Sequence, residues 1–434
     1  QVGSIVTVAN ESEATAFSIE KDAAYWGVYH WLMVANGMQM HMDGGGPVVN
    51  WNAAGANETA SHWLFEHVAI DNAALEAAQQ AFRDGQSMAG NVATYQGHLD
   101  ALFADKACTE LNAGITAANL AQNAHYTALP QAIKNMVMKV AGNSWGAYEQ
   151  TFRIADYHVY SDHIQMGNVL NMGYKYCRIN NPTGITAESD ETILVMVGSA
   201  PPAGTTLKLE MVGTVRNVLA ATGTQVELHE GLNVVNVPSR SQLYVFYEIN
   251  GAENTPAYYL SNFPDITVHI EGGHVNGYFD ATRGMTNADW QGMIAANLLQ
   301  DERIQLKARH VMYNWTSQEV KDNNPTDILK LLNYWDDICR LENEILGLYE
   351  TDATECEKYF PGQHITERFN NVFLCIGGPS DGNPHASDYG AYFTGDQSNL
   401  SNVTRMFENG GTTWCAGHEL GHNHQKTFNM CCTS

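Results

Sequence analysis

A multidomain α+β chain is what this sequence predicts, in four successive parts. These are a small N-terminal β module, a helical linker, an antiparallel β-sandwich and a mostly helical C-terminal domain. Three observations lead there: aromatics and glycines crowd the first 70 residues, period-two alternation dominates from about 190 to 275, and helix-spaced apolar stripes follow Gly284. A length of 434 residues suits two to four domains. With 44% hydrophobic and 16% charged residues, the chain has the composition of a packed protein rather than a disordered one.

Residues 1–70 hold Tyr25, Trp26, Tyr29, Trp31, Trp51 and Trp63 together with Gly44-Gly-Gly46, a texture of short strands and turns. The segment from Ser61 to Phe65 faintly resembles the closing strand of a ricin-type trefoil repeat. Its aromatics serve either as the core of a small β module or as stacking platforms for sugars, which makes the module a candidate lectin-like glycan binder. Residues 71–145 read as the helical linker: Asp71 can cap a helix over 72–82, and Gly85 stands where a left-handed C-terminal cap is wanted.

The sandwich is expected over 146–280. Leu207, Leu209 and Met211 alternate with Lys208 and Glu210, and Ile266, Val268 and Ile270 with Thr267 and His269. Strand-length runs at 193–197, 226–237 and 243–249 add to it, with Pro201-Pro202 and Gly223 at turns. Over 281–434, Thr286 and Asp289 form a capping box ahead of Trp290. A long helix is expected from Pro325 to Leu348, with Ile328, Leu331, Trp335, Ile338, Leu341, Ile345 and Leu348 facing a core. A buried strand is expected at 372–376, then a long Gly/Asn/Ser-rich loop over 377–402, of the kind that often carries function.

Charge and cysteine content narrow the function. A net charge of −25 repels phosphate backbones, so nucleic acid is not an expected partner. No apolar run reaches the roughly 20 residues of a transmembrane helix. Eight cysteines without a CxxC pair make no disulfide framework. The first residue is Gln1, so a mature form or an expressed piece is expected, with any signal peptide lost from view.

The chemistry is concentrated in one segment, Trp414-Cys-Ala-Gly-His418-Glu419-Leu-Gly-His422-Asn-His424-Gln425. Two histidines four apart share one face of a helix and can grip one metal ion. Glu419 follows the first of them, placed to act as general base. Zinc fits such ligands, because it polarises a carbonyl and lowers the pKa of bound water to about 7. Gly410-Gly411 offers a flexible entry, and Gly421 is expected to let a neighbour approach the metal face. In the loop before the motif, His385, Asp388 and Tyr389 are candidate substrate contacts together with Trp414, and Tyr389 or Tyr392 are candidate oxyanion donors.

The stretch from Gly417 to Gln425, preceded by Trp414, resembles the signature of the enhancin-like, mucin-degrading gluzincin metallopeptidases, peptidase family sixty. Asn180-Asn-Pro-Thr-Gly-Ile185 resembles the stretch opening that family's sandwich, and Glu271-Gly-Gly-His274 resembles the junction into its catalytic domain. The resemblance spans about 150–434. It implies a zincin-like catalytic domain over 281–434, zinc held by His418 and His422, and Glu419 as base. It also implies hydrolysis of peptide bonds in O-glycosylated proteins such as mucins, by secreted or surface-attached bacterial enzymes. Long-range repulsion from the acidic chain argues mildly against sialylated or sulfated substrates.

Gluzincins complete their metal site with a Glu downstream of the second His. Beyond Glu419 no acidic residue occurs, and the expected position lies about at Ser434 or past it. The expectation is therefore a truncated piece that binds zinc weakly and is inactive by itself. His424, about 200° around the helix from His422, points elsewhere. Cys431 and Cys432 are alternative ligands of low expectation. The expected function is a zinc endopeptidase acting on glycoproteins outside the cell. The rival is a carbohydrate-binding or adhesive surface protein with a vestigial peptidase domain.

Overall fold

The computed structural model describes residues 3–4, 17–21, 31–35, 38–42, 48–51, 85, 87–169, 176–213, 223–250, 263–345, 373–379, 385–387, 390–395 and 413–424. Two compact units divide the chain, Gln1–Ala77 and Ala78–Ser434. In the first, β1 (Gly3–Ser4), β2 (Ser18–Lys21), β3 (Trp31–Ala35), β4 (Met38–Met42) and β5 (Val48–Trp51) form one antiparallel sheet in the order β1-β5-β4-β3-β2. Ala35 pairs with Met38, leaving only Asn36-Gly37 between the strands, a dipeptide suited to the tightest hairpins. The trefoil-like stretch 61–65 and the cap at Asp71 lie outside the described residues.

In the second unit, helices come first: α1 (Val92–Leu102), α2 (Ala124–Thr127), α3 (Gln131–Gly142) and α4 (Glu149–Arg153). Leu99, Leu102, Ile133, Met136 and Val137 are buried with Leu194, Met196 and Leu232 of the following sheet. The helices of the expected linker thus share a core with the sandwich. Gly85 departs from expectation, being helical and buried rather than a left-handed cap. A Cβ there would come within 1.8 Å of Thr192 Oγ1, so close approach is what requires glycine.

The sandwich begins with β6 (Ile154–Tyr157), followed by α5 (His163–Val169). Then come β7 (Pro182–Ala187), β8 (Thr192–Val197), β9 (Thr205–Gly213), β10 (Thr224–Glu227), β11 (Gly231–Asn236), β12 (Ser241–Ile249), β13 (Ile266–Glu271) and β14 (His274–Val275). One sheet runs β10-β9-β12-β7-β14 and the other β11-β8-β13-β6, with antiparallel pairing throughout. Their inner faces meet through Val195, Val197, Leu207, Leu209, Val245, Val268 and Ile270. The 180–185 stretch thus supplies the second sandwich strand in chain order, after β6.

At the Glu271–His274 turn, Gly272 (φ +95°) and Gly273 (φ +59°) take left-handed backbone. The Arg153 guanidinium donates to the carbonyls of Ile270, Gly272 and Gly273 at 3.1, 2.8 and 3.1 Å, holding the turn shut. Arg153 Nε in turn donates to Glu149 at 2.7 Å, and Lys139 donates to both Glu149 and Glu271 at 3.0 and 2.8 Å.

Among the described residues, the C-terminal part adds a mixed sheet to the expected helices. Six strands, β15 (Phe279–Asp280), β16 (Arg303–Lys307), β17 (Val311–Thr316), β18 (Phe373–Pro379), β19 (His385–Ser387) and β20 (Gly390–Gly395), form a mixed sheet in the order β15-β16-β17-β18-β20-β19. The expected 377–402 loop therefore contains two strands, β19 and β20, paired antiparallel at the edge. Among the described residues, helices α6 (Asn287–Ala295), α7 (Ser317–Asn323), α8 (Ile328–Ile345) and α9 (Thr413–His424) accompany this sheet.

The capping box at Thr286 and Asp289 forms as expected at the start of α6. Helix α8 buries Ile328, Leu331, Leu332, Trp335, Cys339 and Asn343. The expected stripe fails toward its end: Leu341 is 50% and Ile345 83% exposed. At 100° per residue, a core-facing row continues from Trp335 through Cys339 and Asn343, whereas 341 and 345 drift off it.

Each face of the C-terminal sheet has its own partner. Trp315, Tyr313 and Phe393 pack on Trp335 of α8, with Trp335–Phe393 and Tyr313–Trp335 ring centroids 4.9 and 5.4 Å apart. The opposite face meets the sandwich through Met312 and Tyr392 against Val212 and Tyr244. Polar residues fill the rest of that seam: Gln242 Nε2 donates to the Arg303 carbonyl at 2.9 Å, Gln305 Nε2 to Gln242 at 2.9 Å, and Lys307 Nζ to the Asn180 carbonyl at 2.7 Å. All five residues of β16 are buried, which hides its strand character from an alternation test.

Candidate metal centre

The motif lies on α9, which packs against α8 and the edge strands β19 and β20. Leu420 is fully buried in the aromatic core with Trp335 and Phe393, and burying a side chain of that size stabilises by roughly 1.5–3 kcal/mol. Asn423 and His424 are buried as well. His424 Nδ1 donates to the Leu420 carbonyl at 2.8 Å and lies 2.7 Å from Glu342 Oε2, while its Nε2 stands 3.0 Å from Asn343 Oδ1. These contacts fix both the rotation and the depth of the helix.

With Leu420, Asn423 and His424 turned inward, the helical period turns residues 418 and 422 outward. His418 is exposed, His422 is half-buried, and their Nε2 atoms stand 3.1 Å apart. The rings meet edge to face with centroids 4.6 Å apart. Two nitrogens bound to one zinc at about 2.0–2.1 Å with tetrahedral angles stand about 3.3–3.4 Å apart, so the pair fits a shared ion with a small adjustment. Glu419, the next residue after the first ligand, is 7% exposed. Gly417 and Gly421 face α8 instead of the metal side, and a Cβ on either would lie 3.7–3.8 Å from Glu342 Oε1, an ordinary contact. The expectation that Gly421 opens the metal face is corrected accordingly.

The remaining candidates are distributed unevenly. Trp414 lies within α9. His385 is exposed on β19, and its ring stacks on Tyr392 of β20 at 4.9 Å with an interplanar angle of 4°. Tyr392 is 5% exposed and packs into the seam with the sandwich, so its ring serves as a platform beneath His385. Asp388, Tyr389, Gly410, Gly411, Cys431 and Cys432 lie outside the described residues. Sequence reasoning missed the anchor Asn343. Its signal was a polar residue continuing the Trp335–Cys339 row, where an apolar one would be expected.

Several known proteins are similar to this chain in sequence or fold. Residues 278–433 match the model of a family described as peptidase M60, enhancin and enhancin-like. A metallopeptidase from Bacteroides thetaiotaomicron is similar in fold, with a TM-score of 0.62 and 23% identity over 76% of this chain and 52% of that one. A metallopeptidase solved in complex with Tn antigen gives a TM-score of 0.53 and 24% identity, over 64% and 48% of the two chains. The two carbohydrate-binding modules and catalytic domain of ZmpB from Clostridium perfringens give 0.52 and 14%, over 77% and 34%. The chain thus spans about half the length of the first two structures. Among curated proteins, none matches it.

Proposed function

We propose that this chain carries the active centre of a zinc endopeptidase directed at O-glycosylated proteins such as mucins, since residues 278–433 match the model of the enhancin-like peptidase family. The observation that carries the proposal is the 3.1 Å approach of His418 and His422 Nε2 on one helical face, with Glu419 beside them. The donor set fits zinc, since imidazole nitrogen is a preferred ligand and both rings turn the same nitrogen to one point.

Zinc, when bound, supplies Lewis-acid polarisation of the scissile carbonyl and acidifies the attacking water. Glu419 would accept a proton from the attacking water and deliver it to the leaving amine nitrogen. Its largely buried position strengthens the carboxylate's interaction with a nearby cation, through the lower local dielectric. His424, Leu420 and Asn343 hold the ligands in position through packing and hydrogen bonding.

The glycoprotein substrate rests on the family and on the fold likeness to a metallopeptidase solved with Tn antigen. A secreted or cell-surface location follows from such a substrate. Glycan contact by the N-terminal sheet is part of the same reading. The test is cleavage of an O-glycosylated mucin, with metal content measured in parallel, for the full-length protein and its Glu419→Gln variant. Cleavage and about one bound zinc in the full-length protein, with cleavage lost and zinc kept in the variant, support the reading. Cleavage that survives the substitution overturns it.

A further inference from the structure

Away from the motif helix, one cluster has the makings of a second metal site. Asp162 precedes α5, His163 opens it, and Glu248 lies on β12 of the sandwich. One donor atom from each of the three lies within 4.8 Å of the other two. His163 Nδ1 stands 3.1 and 3.0 Å from the two Glu248 oxygens. Those separations are close to what two ligands of a single ion show at about 2.0–2.2 Å from the metal.

Charge makes the cluster unusual. Glu248 is 4% exposed, and a second carboxylate, Asp162, stands beside it. Arg178 pairs with Glu210 at 3.1 Å, and Lys307 donates to the Tyr160 hydroxyl and the Asn180 carbonyl. Two close carboxylates need either a proton or a cation between them, and an unprotonated Nδ1 turns the third group from a donor into a ligand.

We propose that Asp162, His163 and Glu248 form a divalent-cation site that pins α5 to the sandwich. One imidazole nitrogen and two carboxylates select a first-row ion such as zinc or manganese over calcium, which prefers oxygen alone. The site joins a helix start to a strand 85 residues further along the chain, so an ion there ties distant parts of the sandwich together.

The test uses the whole chain in a His418→Ala/His422→Ala background, which separates this site from the motif helix. Zinc alone is the probe, measured by equilibrium dialysis and by the shift in melting temperature. The expected result is about one retained equivalent, weakened tenfold or more by Asp162→Asn. That substitution keeps a helix-capping side chain: Asp162 Oδ1 accepts from the Ile164 and Gln165 N–H groups, and an Asn oxygen can do the same. Its melting temperature without metal should therefore match the parent's, and zinc should raise the parent's alone. His163→Gln should abolish the shift. If no zinc is retained in the background, the proposal is overturned. Retention that neither substitution weakens overturns it equally, placing the ion elsewhere, as at the exposed His98–His125 pair with Nδ1 atoms 3.2 Å apart.

Discussion

His424 Nε2 lies 3.0 Å from Asn343 Oδ1, joining the motif helix to a helix 81 residues earlier in the chain. Neither residue lies on the His418–His422 face, yet together they anchor the helix that carries those two side chains. His424→Ala should remove this tie and leave a buried amide oxygen without its partner, at a cost of about 1–3 kcal/mol. Thermal melting would check the stability, and zinc affinity should fall alongside it. Unchanged melting and affinity would show that the anchor is dispensable.

Glu419→Gln should keep the metal and lose the proton transfer. A general base contributes about 10²–10⁴ in rate, so cleavage of a glycoprotein substrate should drop on that scale while zinc stoichiometry stays fixed. A drop in zinc content of similar size would mean that Glu419 acts on the metal site rather than on the proton.

At the Glu271–His274 turn, Gly272→Ala should be severe. Its φ is +95°, and a Cβ would come within 2.9 Å of the Thr192 carbonyl and 2.8 Å of Ile193 Cδ1. Backbone strain and overlap together should cost about 2–4 kcal/mol in a denaturant melt. A neutral result would contradict the close packing of that turn.

Acid should loosen the same region. Burial alone would raise the Glu149 carboxyl, but the Gly146 N–H and the Lys139 and Arg153 cations outweigh it and hold it at about 2. A carboxyl depressed in the folded state contributes stability that is full above its ordinary value, near 4.5, and is lost as pH falls toward 2. Glu149→Gln should therefore destabilise the protein at neutral pH, with the difference shrinking over that window. A pH-independent gap between the two melting curves would exclude this linkage.

The sequence carried the chemistry more clearly than the layers around it. The His418–Glu419–His422 spacing is local, and a helix converts it directly into geometry. The Thr286–Asp289 box was equally readable, because its partners are three residues apart. Strand β16 was not: Arg303, Gln305 and Lys307 look solvent-facing in sequence, and only the sandwich buries them. Strands β19 and β20 sit within a Gly/Asn/Ser-rich stretch whose pairing depends on the neighbouring β18, a relation periodicity cannot express. The Asp162–His163–Glu248 cluster escaped for the same reason, since its members meet only after the sandwich folds.

The polar seam between β16 and the sandwich also bears on inheritance. Residues 278–433 match a family on their own, yet one face of their sheet is completed by Gln242, Tyr244 and Asn180. Expressed without the sandwich, that segment should be insoluble, with Arg303, Gln305 and Lys307 stripped of their partners; a soluble, cooperatively melting fragment would argue otherwise. Gene fusions that relocate this segment are then expected to carry the sandwich as a passenger, with breakpoints upstream of it, near the 77/78 boundary between the two units.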